Sequence, residues 1–451
     1  MREAAASIVR RLRAAGHEAY LVGGCVRDLL LGREPKDWDV ATSARPDAVA
    51  PLFSDVHEVG RHFGVLRVRC DEHWIEVATF RSEGAYSDGR HPDTVSFTDA
   101  RQDALRRDFT VNALLLDPET ERVIDYVGGR ADLDARLLRA VGVPRQRFSE
   151  DALRLLRAVR FAGTLGFEIE RATWDAMCQE APRIRTTSAE RIRDELLQIL
   201  TGPAPRRGLE LLQQSGLLRE VLPEIEALRG VEQPPRYHPE GDVWEHTLRM
   251  LDAMRSPSPE LALAVLLHDV GKPATRTEQA GEIRFYGHVE KGQEIARQVL
   301  ERLRLPARTC DEVSNAIGQH MRFLDVERMK KSTLRRFVLQ DGFPEILELH
   351  RLDAAGSNGD LSSWERCRAE RELLAREPLP VRPLLSGDDL QALGHAPGPQ
   401  LGVVLRALVD AQLEGQVADP QAAREWVRAH FPAPSGASGS GAARDGAAGD
   451  A

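Results

Sequence analysis

The chain has 451 residues, a net charge of −9, 42% apolar and 29% charged residues, and five cysteines. That length provides for roughly three domains of ~150 residues with real cores, and the composition is that of a soluble globular protein. No apolar run reaches the ~18 residues needed to span a bilayer, so no membrane partner is expected. The cysteines are scattered, odd in number and lack a CxxC pair, which argues against a zinc ribbon and for a reducing, cytoplasmic location. Met1 to Arg13 is charged and amphipathic and has no signal-peptide core.

Residues 3–15 read as an amphipathic helix, with Gly16 as its C-cap. Leu21-Val22-Gly23-Gly24-Cys25-Val26-Arg27-Asp28 then reads as a strand, a glycine turn and a short helix. A second strand is predicted through Lys36-Asp37-Trp38-Asp39-Val40. Acids two apart on a strand point to one face. Side by side they repel unless a cation lies between them. Mg²⁺ favours carboxylates together with phosphate oxygens, and paired glycines let backbone approach a phosphate. Metal-assisted chemistry on a nucleoside triphosphate is one reading; a hairpin with surface acids is the other.

Asp47 to Phe53 looks helical. Residues 63–68 and 73–80 read as a hairpin turning at Cys70-Asp71-Glu72. Glu76 alternates with Ile75 and Val77, so it faces solvent or becomes a third carboxylate if its strand neighbours Asp37 and Asp39. Residues 81–96 form a long polar, glycine-rich loop of the kind that is often functional. Leu105-Arg106-Arg107-Asp108 reads as a triphosphate clamp leading into an apolar helix at Phe109 to Leu114, or as a helix end with a surface ion pair. Ile124 to Gly129 reads as a short strand and tight turn.

A helix is predicted from Glu150 to Phe161 with Ser149 as N-cap. On it Asp151 and Arg154 share a face, forming either a base-reading acceptor and donor pair or an i,i+3 salt bridge. Arg157 and Arg160 continue the ridge. From Arg136 to Arg160 there are seven arginines against Glu150 and Asp151, a local basic stripe suited to a phosphate backbone. Ser188 to Leu200 is a further amphipathic helix, and helical segments continue to Leu222.

Beyond Gln233-Pro234-Pro235 the histidines collect: His246, the pair His268-Asp269, His288, His320, and His350 with Asp353. Imidazole and carboxylate suit first-row divalent metals, and a His-Asp pair in an apolar helix is costly to bury for packing alone. Residues 356–432 look helical and carry no catalytic pattern. The segment beyond is too small and polar to pack and is expected to be disordered.

These stretches, in this order, resemble the bacterial class II tRNA nucleotidyltransferases and their poly(A) polymerase relatives, within the polymerase β superfamily. The resemblance covers nearly all of 18–200 through LVGGCVRD with KDWDVAT, IEVATFR, RRDFTVNAL, EDALRLLRAVRF and SAERIRDELLQIL. WEHTL, LHDVGKP and Asp353 resemble an HD domain. The fold implied is α+β: a nucleotidyltransferase head with a mixed sheet (1–141), then an all-α neck (142–232), an HD domain (233–356), a C-terminal helical region (357–432) and a tail (433–451).

The resemblance implies template-independent addition or repair of the CCA end of tRNA from CTP and ATP. Asp37 and Asp39 would hold Mg²⁺, with Glu76 as a third catalytic carboxylate. Gly24, Arg27 and Arg107 would contact phosphates and Asn112 the sugar. Asp151 and Arg154 would select the base, with Arg157 and Arg160 as further nucleotide-binding positions. The full-length loop at 81–96 matches enzymes that add the terminal A. His246, His268, Asp269 and Asp353 match HD ligands for a divalent transition metal, and His288 and His320 match a second-metal position. This centre implies phosphohydrolase activity, with 2′,3′-cyclic phosphate ends as a substrate. An A-only enzyme, a poly(A) polymerase, or an HD phosphohydrolase with an RNA-binding first half are the competing readings.

Overall fold

The computed structural model describes residues 1–60, 64–83, 95–234, 241–377, 379, 380 and 382–433. Most of the loop expected at 81–96, and the tail from 434 onward, lie outside the described residues. The chain divides into two compact units, Met1–Gly318 with Leu352–Gly359, and Gln319–Arg351 with Asp360–Ala451.

The first unit opens with α1 (Arg2–Ala14), which buries Ile8, Val9 and Leu12. It ends as Gly16 donates to Arg13 and His17 to Leu12, with Gly16 at φ +87°. Next come β1 (Ala19–Val22), α2 (Gly24–Leu30), β2 (Asp39–Thr42), α3 (Pro46–Val49), β3 (Val56–Gly60), β4 (Val65–Cys70) and β5 (His73–Thr79). They are followed by β6 (Arg81–Glu83), β7 (Val95–Phe97), α4 (Ala100–Leu105), β8 (Leu115–Leu116), β9 (Val123–Ile124) and α5 (Gly129–Asp134).

The main sheet has seven strands in the order β3-β4-β5-β2-β1-β8-β9. It is mixed: β2 runs parallel to β5, while β1 is antiparallel to both β2 and β8. Alternation within β5 puts Ile75 and Val77 into the core and leaves Glu76 exposed.

Helical segments follow: α6 (Pro144–Glu150), α7 (Leu153–Leu165), α8 (Arg171–Glu180), α9 (Ala189–Leu200), α10 (Pro205–Gln214), α11 (Leu217–Val221) and α12 (Pro223–Glu226). The region expected as all-α also contains one short strand, β11 (Glu168–Ile169), which pairs in parallel with β10 (Leu137–Leu138) at the end of the head. Next are α13 (Val243–Ala253), α14 (Pro259–Leu267), α15 (Lys272–Thr275), the hairpin β12 (Thr277–Gln279) and β13 (Glu282–Arg284), α16 (His288–Arg302) and α17 (Ala307–Gln319). Among the described residues no helix is long and apolar enough to cross a membrane.

The second unit contains a 3₁₀ stretch (His320–Arg328), α18 (Lys331–Val338), most of α19 (Phe343–Gly356), α20 (Ser362–Arg376), α21 (Gly387–Ala392), α22 (Pro399–Glu414) and α23 (Pro420–His430). One core is aromatic: Phe337 stands edge-on to Phe323 and Phe343 at 5.1 Å, and His350 stacks on Phe323 at 3.9 Å. Another packs Leu390, Val404, Leu408 and Val427.

Candidate active site

The first wall of the site grows from the turn between β1 and α2. Gly23 has φ +83°, and a Cβ there would meet an Arg107 guanidinium nitrogen at 3.4 Å. That left-handed backbone is what favours glycine here, and it brings the turn into contact with Arg107. Strand β2 begins at Asp39, and its parallel register sets Asp39 opposite Glu76 of β5. Asp37, expected inside the strand, instead lies just before it. Buried Trp38 between the two acids keeps the alternation, so Asp37 is exposed and Asp39 is half-buried. Burial first, then the nearby charges of Glu76 and Asp37, push the Asp39 carboxyl up to about 6, against the pull of Arg107. Such mutual repulsion is relieved by a cation, and a hard divalent ion fits an all-carboxylate set. Cross-strand from Glu76 is Arg67 on β4.

The second wall is an arginine and acid network. Arg27 Nη1 donates to Asn112 Oδ1 at 2.6 Å, while its other nitrogens hold Asp28 at 2.8 and 3.0 Å. Asn112 Nδ2 donates onward to Asp108 Oδ1 at 3.3 Å. Asp108 Oδ2 accepts from Arg157 Nε at 2.8 Å and Nη2 at 2.6 Å. Burial alone would raise the Asp108 carboxyl, but the Arg157 charge and hydrogen bonds outweigh it and hold the group at about 2. The apolar helix expected after Asp108 is absent. Helix α4 precedes the arginines, and Thr110–Asn112 forms only a 3₁₀ turn before β8. The apolar residues there are buried because they feed the sheet.

Helices α7 and α9 supply the third wall, with two corrections. Ser149 lies inside α6 rather than capping a helix. The chain is extended at Asp151 (φ −143°, ψ 105°), and α7 starts at Leu153. Asp151 lies one residue before the N-cap, Ala152, and accepts from the Leu153 N–H at 3.1 Å. It is also not paired with Arg154. Arg191 of α9 grips Asp151 at 2.8 and 3.2 Å, whereas Arg154 donates to Glu150 at 2.8 Å and to the carbonyls of Arg147 and Arg106. Arg160 pairs with Glu195 at 2.6 Å. The Arg157 and Arg160 guanidiniums lie 5.2 and 4.2 Å from the Phe161 ring. Arg191 and Glu195 were missed from the sequence, although their four-residue spacing on one helix was a usable signal.

The walls enclose a cleft of about 1250 Å³ that takes in Gly24, Arg27, Asp37, Asp39, Arg107, Asn112, Asp151, Arg154, Arg157 and Arg160. The stripe from Arg136 to Arg160 is largely neutralised within the fold. Arg139, Arg145, Arg147, Arg154, Arg157 and Arg160 each have an acidic partner.

A second cluster lies among α13, the end of α14 and the end of α19. His246, His268 and Asp353 bring ligand atoms within 4.8 Å of one another, with both imidazoles buried. Val265 O lies 2.9 Å from His268 Nδ1, so that nitrogen carries the proton and Nε2 faces the cluster. Asp269 Oδ2 is 3.0 Å from His268 Nε2 and 2.7 Å from Lys272 Nζ. Burial opposes ionisation of Asp269, but His268 and Lys272 hold its carboxyl well below the usual range. His288 Nε2 is 3.9 Å from Asp269 Oδ1. A Cβ on Gly271 would fall 2.1 Å from the His288 carbonyl, so only glycine lets this turn pack on α16. The N and O donors fit a divalent transition metal. His320 and His350 belong to the second unit.

A mixed-sheet head with adjacent carboxylates, opposed across a cleft by an arginine-lined helical wall, defines a nucleotidyltransferase. Family models agree: Poly A polymerase head domain over 19–139, probable RNA and SrmB-binding site of polymerase A over 166–228, and HD domain over 243–352. The chain is 38% identical to the CC-adding tRNA nucleotidyltransferase of Thermus thermophilus, over 91% of this chain and 93% of the relative. It is 37% identical to the A-adding tRNA nucleotidyltransferase of Deinococcus radiodurans, over 91% and 95%. The Bacillus stearothermophilus CCA-adding enzyme solved with CTP superposes with a TM-score of 0.74 at 30% identity, covering 95% of this chain and 96% of that one. The chain belongs to the tRNA nucleotidyltransferases.

Proposed function

We propose that this enzyme builds or repairs the 3′-terminal CCA of tRNA from CTP and ATP without a nucleic-acid template. The observation that carries the reading is the single cleft with Asp39 and Asp37 on one wall and Asp151 and Arg154 on the other. Asp37 and Asp39 would hold Mg²⁺, with Glu76 as the neighbouring third acid. When bound, Mg²⁺ acidifies the RNA 3′-hydroxyl and offsets triphosphate charge. The 3′-oxygen forms a bond to the α-phosphorus, the bond to the β-phosphate oxygen breaks, pyrophosphate leaves, and the hydroxyl proton passes to solvent. Arg27, Arg107 and the Gly24 backbone receive the triphosphate, and Asn112 lies at the sugar. Asp151, an acceptor held by Arg191, and Arg154, a donor, read the amino group and ring nitrogen that cytosine and adenine share. Arg157 and Arg160 complete the nucleotide wall.

Two relatives that span nearly the whole chain are named as CC-adding and A-adding, at almost equal identity, beside the CCA-adding structure at 30%. A partial addition is therefore the second reading. Incubation with tRNA lacking CCA and with CTP, ATP or both separates the readings by product length. Growth by two C residues and one A supports the first. Growth only with ATP, or only by CC, moves the function to the second.

The HD centre is proposed as a phosphohydrolase acting on RNA ends that carry a 2′,3′-cyclic phosphate. His246, His268, Asp269 and Asp353 would hold a divalent transition metal, which polarises the phosphate and acidifies water when bound. The expected result is turnover by the full chain with added Ni²⁺, Co²⁺ or Mn²⁺, lost on chelation and in His268→Ala. Absence of turnover with every metal, while elemental analysis finds metal bound, would contradict it.

A further inference from the structure

Asp103 on α4 is an acid for which the scheme above has no use. It is 2% exposed. Its Oδ1 accepts from Arg106 Nε at 3.0 Å and Nη2 at 2.7 Å, and from the Arg81 backbone N–H at 3.2 Å. Its Oδ2 accepts from Arg107 Nε at 3.3 Å and Nη2 at 3.1 Å. Neighbouring guanidiniums repel, and a shared buried carboxylate is what lets both stand in place. The remaining Arg107 nitrogen, Nη1, reaches the Asn112 carbonyl at 3.5 Å beside Gly23, where a Cβ would also lie 3.9 Å from Asp39 Oδ2. Arg81 opens β6, and β6 pairs with β7. Arg106 Nε donates to the Arg81 carbonyl at 3.0 Å, so the strand start is held at both its N–H and its C=O.

We propose that Asp103 is a positioning residue for nucleotide binding. It fixes the Arg107 guanidinium beside the Gly23-Gly24 turn and ties it to the start of β6. The proposal rests on the reading of Arg107 as a phosphate-binding residue. Both oxygens must accept, so an isosteric amide fails: its NH₂ would face a guanidinium N–H on one side or the other.

The test uses the full chain with Asp103→Asn, Arg107→Ala and the double variant. The readouts are KM for CTP, inhibition by inorganic pyrophosphate and KM for tRNA. Asp103→Asn is expected to weaken CTP and pyrophosphate about tenfold, the scale of a charge-assisted hydrogen bond. KM for tRNA should not move. In the Arg107→Ala background the same change should add less than about twofold, because coupled residues are non-additive. An equal loss in both backgrounds would show that Asp103 does not act through Arg107 and overturn the proposal. A loss in Arg107→Ala with none in Asp103→Asn would overturn it while leaving the phosphate reading of Arg107 intact. Unchanged pyrophosphate inhibition in Arg107→Ala would remove that reading and the proposal together. Should Asp103→Asn not fold, Asp103→Glu, which moves the charge by one methylene, provides the same comparison.

Discussion

Asp39→Asn is expected to abolish nucleotide incorporation, by on the order of a thousandfold or more, and at the same time to stabilise the metal-free protein. The second effect follows from the first wall of the cleft. Burial, Glu76 and Asp37 raise the folded-state carboxyl to about 6. A carboxyl raised on folding favours the fold while protonated and opposes it once ionised. The penalty is therefore absent below the ordinary carboxylate range near 4, grows between about 4 and 6, and is complete above 6. At roughly 1.4 kcal/mol per unit it reaches about 1–3 kcal/mol. Urea titrations in EDTA at pH 4.5 and pH 7.5 check this. Asp39→Asn should exceed the parent in stability at pH 7.5, with a smaller margin at pH 4.5. Glu76→Gln should show part of the same gain, since Glu76 is the largest charge opposing Asp39. A variant less stable than the parent at pH 7.5 would mean that the acids do not repel one another in the fold.

Asp108→Asn is expected to have the opposite effect on stability. Its largely buried carboxylate holds Arg157 through two hydrogen bonds, while the arginine itself stays about a third exposed at 34% of its side-chain surface. Because the stranded guanidinium can still reach water, removing the carboxylate is expected to cost about 1.5–3 kcal/mol, the scale of hydrogen bonds to a charged group. The Asp108 carboxyl is depressed to about 2. Its contribution is thus fully present above the ordinary range near 4 and fades as pH falls from there through 2. Urea midpoints of parent and variant should lie far apart at pH 7 and converge toward pH 2. A double variant, Asp108→Asn with Arg157→Met, should be less destabilised than the sum of its parts. An additive double variant would contradict the pairing.

Much of the cleft was legible because its chemistry is local. Gly23-Gly24 with Arg27, and Asp37 with Asp39, lie within single turns or strands, where periodicity decides which way side chains point. The neighbourhood of Asp39 and Glu76 was only conditional in the sequence. It depends on β2 pairing in parallel with β5, a non-local choice that no residue near either acid encodes. Asp151 was placed wrongly for the converse reason. Ser149, Glu150 and Asp151 resemble the acidic first turn of a helix, and the apolar period runs on without interruption. The extended backbone at Asp151 is held by Arg191, forty residues downstream. The helix after Asp108 failed because a buried apolar run of a few residues fits a turn into a sheet equally well. The histidine grouping was legible in part: His246 and His268 do come together with Asp353, as local His and Asp motifs on apolar helices suggest.

The incorporation assay on tRNA lacking its CCA end, with the Asp39→Ala chain as control, tests the central claim most directly. With CTP and ATP present the enzyme should add two C residues and then one A and stop, with no incorporation from UTP or GTP and none by the control. No incorporation of C under those conditions would contradict the account.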